Sequence, residues 1–334
     1  MFEKRYYVLS FLLLAFTMSS AQDLHSSNYD YNLMYLNPAE AGAFLGTVRV
    51  QGSHRDQFDA FIEKGYNSQI AQVDMPLAIK FFKRGWAGYG LGVLTDRSGD
   101  LGFRNSGLLA TLSYHIPLDR KSRRIISAGL SVGRLQRSIN NSSAAMFGDA
   151  LLAGSGLSND FNLLDQFDES YTDYTLGVKY KQVLSRKARL QVGGAVFHAF
   201  NLQKAVGFNN KILRRYSLYG IVDYQLSKSM ILQPRLYTSF TGSFFNINLQ
   251  SLVKYNYQEK ITIGLGLGYR LQDALQAIIT AEYQGWEFGL AYDVTVSSAR
   301  IYNSGQGALE LGVKKIFTLT QRPKTTRVKI CPRL

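Results

Sequence analysis

Apolar and polar side chains alternate along residues 286–295, with Trp286, Phe288, Leu290, Tyr292 and Val294 in one register and Glu287, Gly289, Ala291, Asp293 and Thr295 in the other. A period of two belongs to a β-strand with one face removed from water. The pattern recurs almost to the N-terminus and predicts fourteen strands: 46–54, 66–75, 87–95, 104–116, 125–137, 173–182, 189–198, 215–226, 230–240, 243–255, 260–270, 276–284, 286–295 and 307–317. Segments of this length, rich in Gly and Tyr, suit a transmembrane antiparallel β-barrel with oily residues toward lipid and small or polar ones toward the lumen. Ile261, Ile263, Leu265, Leu267 and Tyr269 should then face lipid, as should Ala128, Leu130 and Val132.

The spacing between strands tests this independently. Outer-membrane barrels have short periplasmic turns and longer extracellular loops, so long gaps should follow odd-numbered strands. The longest, 138–172, 199–214 and 296–306, follow the fifth, seventh and thirteenth. Even gaps are mostly short and often basic, as in Asp119-Arg120-Lys121-Ser122-Arg123-Arg124; residues 76–86 are the exception. An even strand count also closes a barrel with both ends on one side.

The N-terminus places the chain in a compartment. Lys4 and Arg5 precede the apolar run Tyr6 to Phe16, and the small residues Ser19 and Ala21 suit cleavage before Gln22. Residues 1–21 therefore read as an export signal, too short to span a bilayer as a helix. The expected organisation is a signal peptide (1–21), an N-terminal plug-like or lead-in segment (22–45), the barrel (46–317) and a basic periplasmic tail (318–334). The lone cysteine, Cys331, can form no internal disulfide and is far from any lipoprotein cleavage site.

Composition agrees once alternation is known. The 334 residues include 21 Tyr and 20 Phe but only 6 Pro, and a mean hydropathy of −0.10 conceals apolarity that alternation sends outward. The net charge of +14 would suggest nucleic acid. Export removes that partner, leaving no nucleic-acid role. A cation facing lipid at the midplane costs roughly 2–4 kcal/mol. Arg134, Lys179, Arg235, Arg270 and Lys314 should thus face the lumen or lie near a membrane edge, offset by Asp223, Glu282, Glu287, Asp293 and Glu310. Such an interior fits either a self-satisfied polar core or an anion pore, and no spacing singles out a constriction.

Chemistry-bearing motifs are sparse. His25, His54, His115 and His198 lack metal-ligand spacing, and Gly264-x-Gly266-x-Gly268 lacks the strand-to-helix turn that cradles phosphate. No catalytic, cofactor-binding or metal site is expected, and His54 and His198 are placed at the barrel rim. The segment Tyr29, Tyr31, Leu33, Met34, Tyr35 and Leu36 is too apolar to hang free in the periplasm; it either plugs the barrel or forms an ordered lead-in. Residues 140–171 carry Phe147, Leu151, Leu152, Phe161, Leu164 and Phe167, too apolar for a solvated loop, and either fold back over the mouth or form a candidate client-binding loop.

Three segments carry a family resemblance. Tyr31 to Gly42, including Tyr35, Asn37, Pro38, Ala39 and Gly42, resembles the N-terminal signature of the PorP/SprF family of Bacteroidetes outer-membrane proteins. Arg214, Arg215 and Tyr216 are similar to the family's Arg-Arg-Tyr step, and Cys331, Pro332 and Arg333 to its Cys-Pro-Arg-Phe ending. Glu40, where the family often has Tyr, and Leu334, in place of Phe, depart from it. The resemblance implies an outer-membrane barrel tied to the type IX secretion system, with no enzymatic activity and no cofactor. Its expected partners are secretion components and a secreted client, such as the C-terminal domain of a large adhesin, besides membrane lipid. A small-solute pore is the alternative function.

Overall fold

In the computed structural model, fourteen antiparallel strands form a closed barrel in which each strand pairs with its neighbours in sequence and the first closes on the last. The structure describes residues 26–57, 65–77, 85–99, 102–139, 168–200, 212–257, 260–298, 300–303 and 305–318. The strands are β1 (Val48–Gln57), β2 (Tyr66–Leu77), β3 (Trp86–Ser98), β4 (Phe103–Pro117), β5 (Arg124–Ile139), β6 (Asp168–Val183) and β7 (Ala188–Phe197). They continue with β8 (Arg215–Gln225), β9 (Met230–Thr241), β10 (Phe244–Tyr257), β11 (Ile261–Arg270), β12 (Ala274–Tyr283), β13 (Trp286–Thr295) and β14 (Gln306–Phe317).

The fourteen expected segments match these strands closely. The main difference is β6, which begins at Asp168 rather than 173 because Asp168–Thr172 pair with Arg134–Ser138 of β5. This hairpin extension carries Asp168, Glu169 and Ser170, exposed and polar, so it lacks the apolar period that marks a lipid-facing strand.

Burial is inverted relative to a water-soluble fold. Leu267, Leu108, Leu112 and Leu91 point outward and are more than half exposed, whereas Gln51, Gln72, His115, Asn248, Gln250 and Gln276 line a buried interior. That inversion is what lipid outside and a packed polar lumen inside require. Tyr257, Tyr283, Trp286 and Phe317 lie toward the end where the barrel's own termini meet; Tyr216, Phe240, Phe245, Tyr269 and Tyr292 lie toward the other. These are the two interfacial aromatic girdles.

The longest gaps, 140–167, 198–214 and 296–305, all leave the end opposite the termini, so the terminal end faces the periplasm. Among the charged strand residues, Lys179, Arg235, Arg270 and Lys314 point into the lumen. Arg134 lies on the outer face, close to the long-loop end of β5, where it donates to Thr172. It is level with Leu108, the last outward-facing leucine of β4 before the long-loop end, so it lies at the edge of the apolar band.

Candidate functional site: the plugged lumen

Residues 26–44 occupy the lumen and make three short helical turns, Tyr29–Tyr31, Leu33–Leu36 and Pro38–Glu40. The chain descends through the barrel: Ser26 and Ser27 contact wall residues near the long-loop end, and Glu40 to Gly42 contact wall residues near the terminal end. Thr47 then donates to the Phe317 carbonyl and the chain enters β1. Tyr31 and Ala39 are wholly buried, and Met34 nearly so. Of the two placements open to this apolar segment, the structure has the one inside the barrel.

The upper anchor is built around Ser27. Its hydroxyl donates to Asp293 (2.7 Å) and is approached by Arg55 Nη1 (2.9 Å), Arg270 Nη2 (2.7 Å) and Gln276 Nε2 (2.9 Å). Its backbone N–H donates to Glu310 at 2.6 Å, and the Ser26 hydroxyl donates to the same carboxylate at 2.5 Å. The wall charges also pair with one another: Arg55 with Asp293 and Glu310, and Arg270 with Asp293.

The lower anchor is built around Glu40. Its carboxylate accepts from Lys179 Nζ at 2.6 Å, Gln191 Nε2 at 2.8 Å and the Tyr219 hydroxyl. Burial, the largest single influence, raises the Glu40 pKa, but the Lys179 ammonium, the Tyr219 hydroxyl and the Arg49 guanidinium together outweigh it and hold the carboxyl below the ordinary carboxylate range. Between the anchors, Asp30 pairs with Arg235 at 2.5 Å; burial again raises its pKa most, and Arg235, Lys254 and Lys314 together outweigh this, bringing it down to about 2.

The backbone of Asn37–Gly42 is held just as closely. Asn37 accepts from its own helical turn at Ala39 N (2.9 Å) and donates to the carbonyls of Val178 and Gly194. Gly42 N–H donates to Asp74 (2.7 Å), which also pairs with Arg49 (2.8 Å). The Gly42 carbonyl accepts from Trp86 Nε1 (2.9 Å). The Ala41 carbonyl accepts from Ser113 Oγ (2.7 Å) and from His115 Nε2 (2.8 Å), which fixes the proton on that nitrogen because a carbonyl only accepts. Gly42 has φ +65°, the left-handed region, and a Cβ there would collide with the β3 backbone at Gly88. Two and three strands farther round the wall, a side chain on Gly129 or Gly177 would overlap the plug at Pro38 and Asn37. Small inner-wall residues thus make room for the plug.

The structure unites part of the sequence signature. Arg215 is buried and stacks over Phe197 (3.6 Å to the ring centroid) and Tyr35 (5.7 Å), joining the Arg-Arg-Tyr step to the N-terminal signature. Asn37, Pro38, Ala39 and Gly42 form the lower plug. Arg214 is exposed, and Tyr216 points outward into the aromatic girdle. Cys331, Pro332, Arg333 and the loop residues Phe147, Leu151, Leu152, Phe161, Leu164 and Phe167 lie outside the described residues. His198 directly follows β7 and pairs with Asp173 (2.7 Å); His54 sits on the outer face near the rim beside Asp56 (2.8 Å). Sequence reasoning missed Asp30, His115 and the central part played by Ser27 and Glu40. The available signal was a carboxylate lodged within a segment otherwise too apolar for water.

Among the described residues, two cavities beside the plug share no lining residue. One opens toward the long-loop end, about 470 Å³, over Ser26, Tyr29, Arg215, Tyr237 and Asn248. The other, about 190 Å³, opens below, beside Leu33, Ala43, Lys181 and Lys254. Fold and interior together define an outer-membrane β-barrel plugged by its own N-terminal segment.

A family model for the type IX secretion system membrane protein PorP/SprF matches residues 18–314. The chain belongs to that family. Among solved structures it is similar in fold to the toluene transporter TbuX of Ralstonia pickettii, at 12% identity and a TM-score of 0.52, covering 86% of this chain and 94% of that one. A lesser likeness, at 13% identity and a TM-score of 0.48, is to the CymD monoaromatic hydrocarbon channel, covering 86% of this chain and 93% of that one. No match was found among curated proteins. Family and fold are of non-enzymatic kinds, and both place the chain in the outer membrane.

Proposed function

We propose that this barrel supports the export or cell-surface anchoring of secreted proteins, such as large adhesins, by binding a client or a component of the secretion machinery, with no bond made or broken. The observation that carries this reading is the plug. A conduit for solutes needs a continuous wet path, whereas here the lumen is crossed by a segment whose buried charges are paired at Asp30 and Glu40 and whose ends are tied to the wall near the two ends of the barrel. A rigid filled barrel suits a platform that presents loops. Residues 144–168 supply the apolar content for client binding on sequence grounds. Deleting them should leave a heat-modifiable barrel in the outer membrane while export or retention of the client is lost; unchanged surface client would remove the loop from the mechanism.

A small-solute pore is the second reading, favoured by the likeness of fold to TbuX. Planar-bilayer conductance separates the two. A platform shows little steady current in the wild type, and a large steady current would favour the pore.

A further inference from the structure

Three consecutive turns at the terminal end share one construction. Each begins with an exposed leucine, the first residue after its strand: Leu118 after β4, Leu184 after β6 and Leu226 after β8, exposed by 51%, 52% and 47%. Each leucine N–H donates back across the turn, to the carbonyls of Arg124, Ala188 and Met230 respectively. Each turn then carries exposed cations: Arg120, Lys121 and Arg123 on the first, Arg186 and Lys187 on the second, Lys228 on the third. Among the described residues none of these six forms an ion pair, and the one acid in the three turns, Asp119, accepts from the Arg124 backbone N–H. Because β4 to β9 are adjacent in the wall, the turns lie side by side along one arc of the rim. At the opposite end, the described residues between strands carry Arg214 and Arg300 against Asp273, close to balance.

We propose that this arc is a basic crescent that binds the phosphate groups of anionic phospholipid in the leaflet facing the periplasm. Turns as short as 184–187 and 226–229 cannot project far beyond the strand ends, so their cations stand at headgroup depth. The leucines at their base continue the outward-facing register of β4, β6 and β8 and so point toward lipid. That pairing of an apolar foot with a cationic tip matches a bilayer interface, and anionic lipid attracts clustered Lys and Arg within a Debye length. An acidic protein surface beneath the membrane would use the cations and leave the three leucines without a role.

The test compares three forms of the full chain reconstituted in phosphatidylcholine vesicles containing a minority of phosphatidylglycerol. They are the wild type, a variant with Arg120, Lys121, Arg123, Arg186, Lys187 and Lys228 each changed to Gln, and a control with Arg97→Gln and Arg104→Gln at the opposite end. After mild detergent extraction, the lipid that stays bound is quantified by mass spectrometry, and heat-modifiable migration checks that each form is folded. The wild type and the control should retain phosphatidylglycerol several-fold above its share of the vesicle, and the six-site variant should retain it near that share. A variant carrying only the three changes of the first turn should fall between, which keeps the test open if the full variant assembles poorly. No enrichment in the wild type, or equal enrichment in all forms, would overturn the proposal. So would unchanged lipid retention combined with loss of a periplasmic protein from pull-downs.

Discussion

The two ends of the plug are anchored by opposite strategies. At the upper end the wall supplies both signs of charge, Arg55 and Arg270 against Asp293 and Glu310, and the plug adds neutral groups, the Ser27 hydroxyl and N–H among them. At the lower end the wall supplies the cation, Lys179, and the plug supplies the anion, Glu40. The upper site is electrostatically complete without the plug, so the plug is read there by hydrogen bonds alone. The lower site is not. With the plug seated, Glu40 is the buried partner of Lys179, and breaking a buried pair by removing one partner costs more than removing one hydrogen-bonding group from among charges that keep each other. The lower anchor therefore holds the plug, while the upper one chiefly orients it.

The largest expected effect follows directly. Glu40→Ala leaves Lys179 unpaired and should destabilise the plugged state by roughly 3–5 kcal/mol. The measurement is steady bilayer conductance together with protease cleavage between Ser26 and Gly42, and a variant that stays closed and resistant would remove Glu40 from its assigned part. Asp30→Asn comes next. Arg235 also donates to Gln233, so it keeps a neutral partner, and the loss should be about 1.5–3 kcal/mol, read as a lower urea midpoint of heat-modifiable migration.

Acid sharpens the contrast. A carboxylate whose pKa is depressed in the folded state contributes stability that is present above its unfolded value and is lost as pH falls through the folded value. Glu40 and Asp30 are both depressed, Asp30 to about 2. Conductance should thus stay low from neutral pH through the ordinary carboxylate range and rise only well below it. Opening near pH 6 would contradict the pairing.

The smallest effect belongs to the upper anchor. Ser27→Ala removes hydrogen bonds but leaves Arg55, Arg270, Asp293 and Glu310 paired with one another. The loss should then stay at the low end of the range for hydrogen bonds to charged groups, about 1.5 kcal/mol, because those charges keep one another. The plug should remain seated, with protease sensitivity rising only upstream of Tyr29. If Ser27→Ala opened the barrel as fully as Glu40→Ala, the difference between the anchors would be wrong.

Much of the barrel is legible in the chain because lipid imposes a strict rule on each strand separately. Every second residue must be apolar, so Ile263, Leu265 and Leu267 declare the outer face of β11 without reference to any other strand, and short turns in alternate gaps order the strands. Where a strand leaves the membrane, as β6 does between Asp168 and Thr172, the rule lapses and the alternation no longer marks the boundary.

The interior obeys no such local rule. Lys179, Arg235, Arg270 and Lys314 can be assigned to the lumen because lipid forbids the alternative, yet nothing in their spacing names their partners. Glu40 meets Lys179 across a separation of 139 residues, and Arg55 meets Asp293 across 238. Local chemistry along the chain thus settles the strands, their outward face and an N-terminal segment too apolar for water. Which wall each plug residue meets is settled when the barrel closes, because closure brings β1 beside β14 and makes neighbours of residues that no spacing along the chain relates.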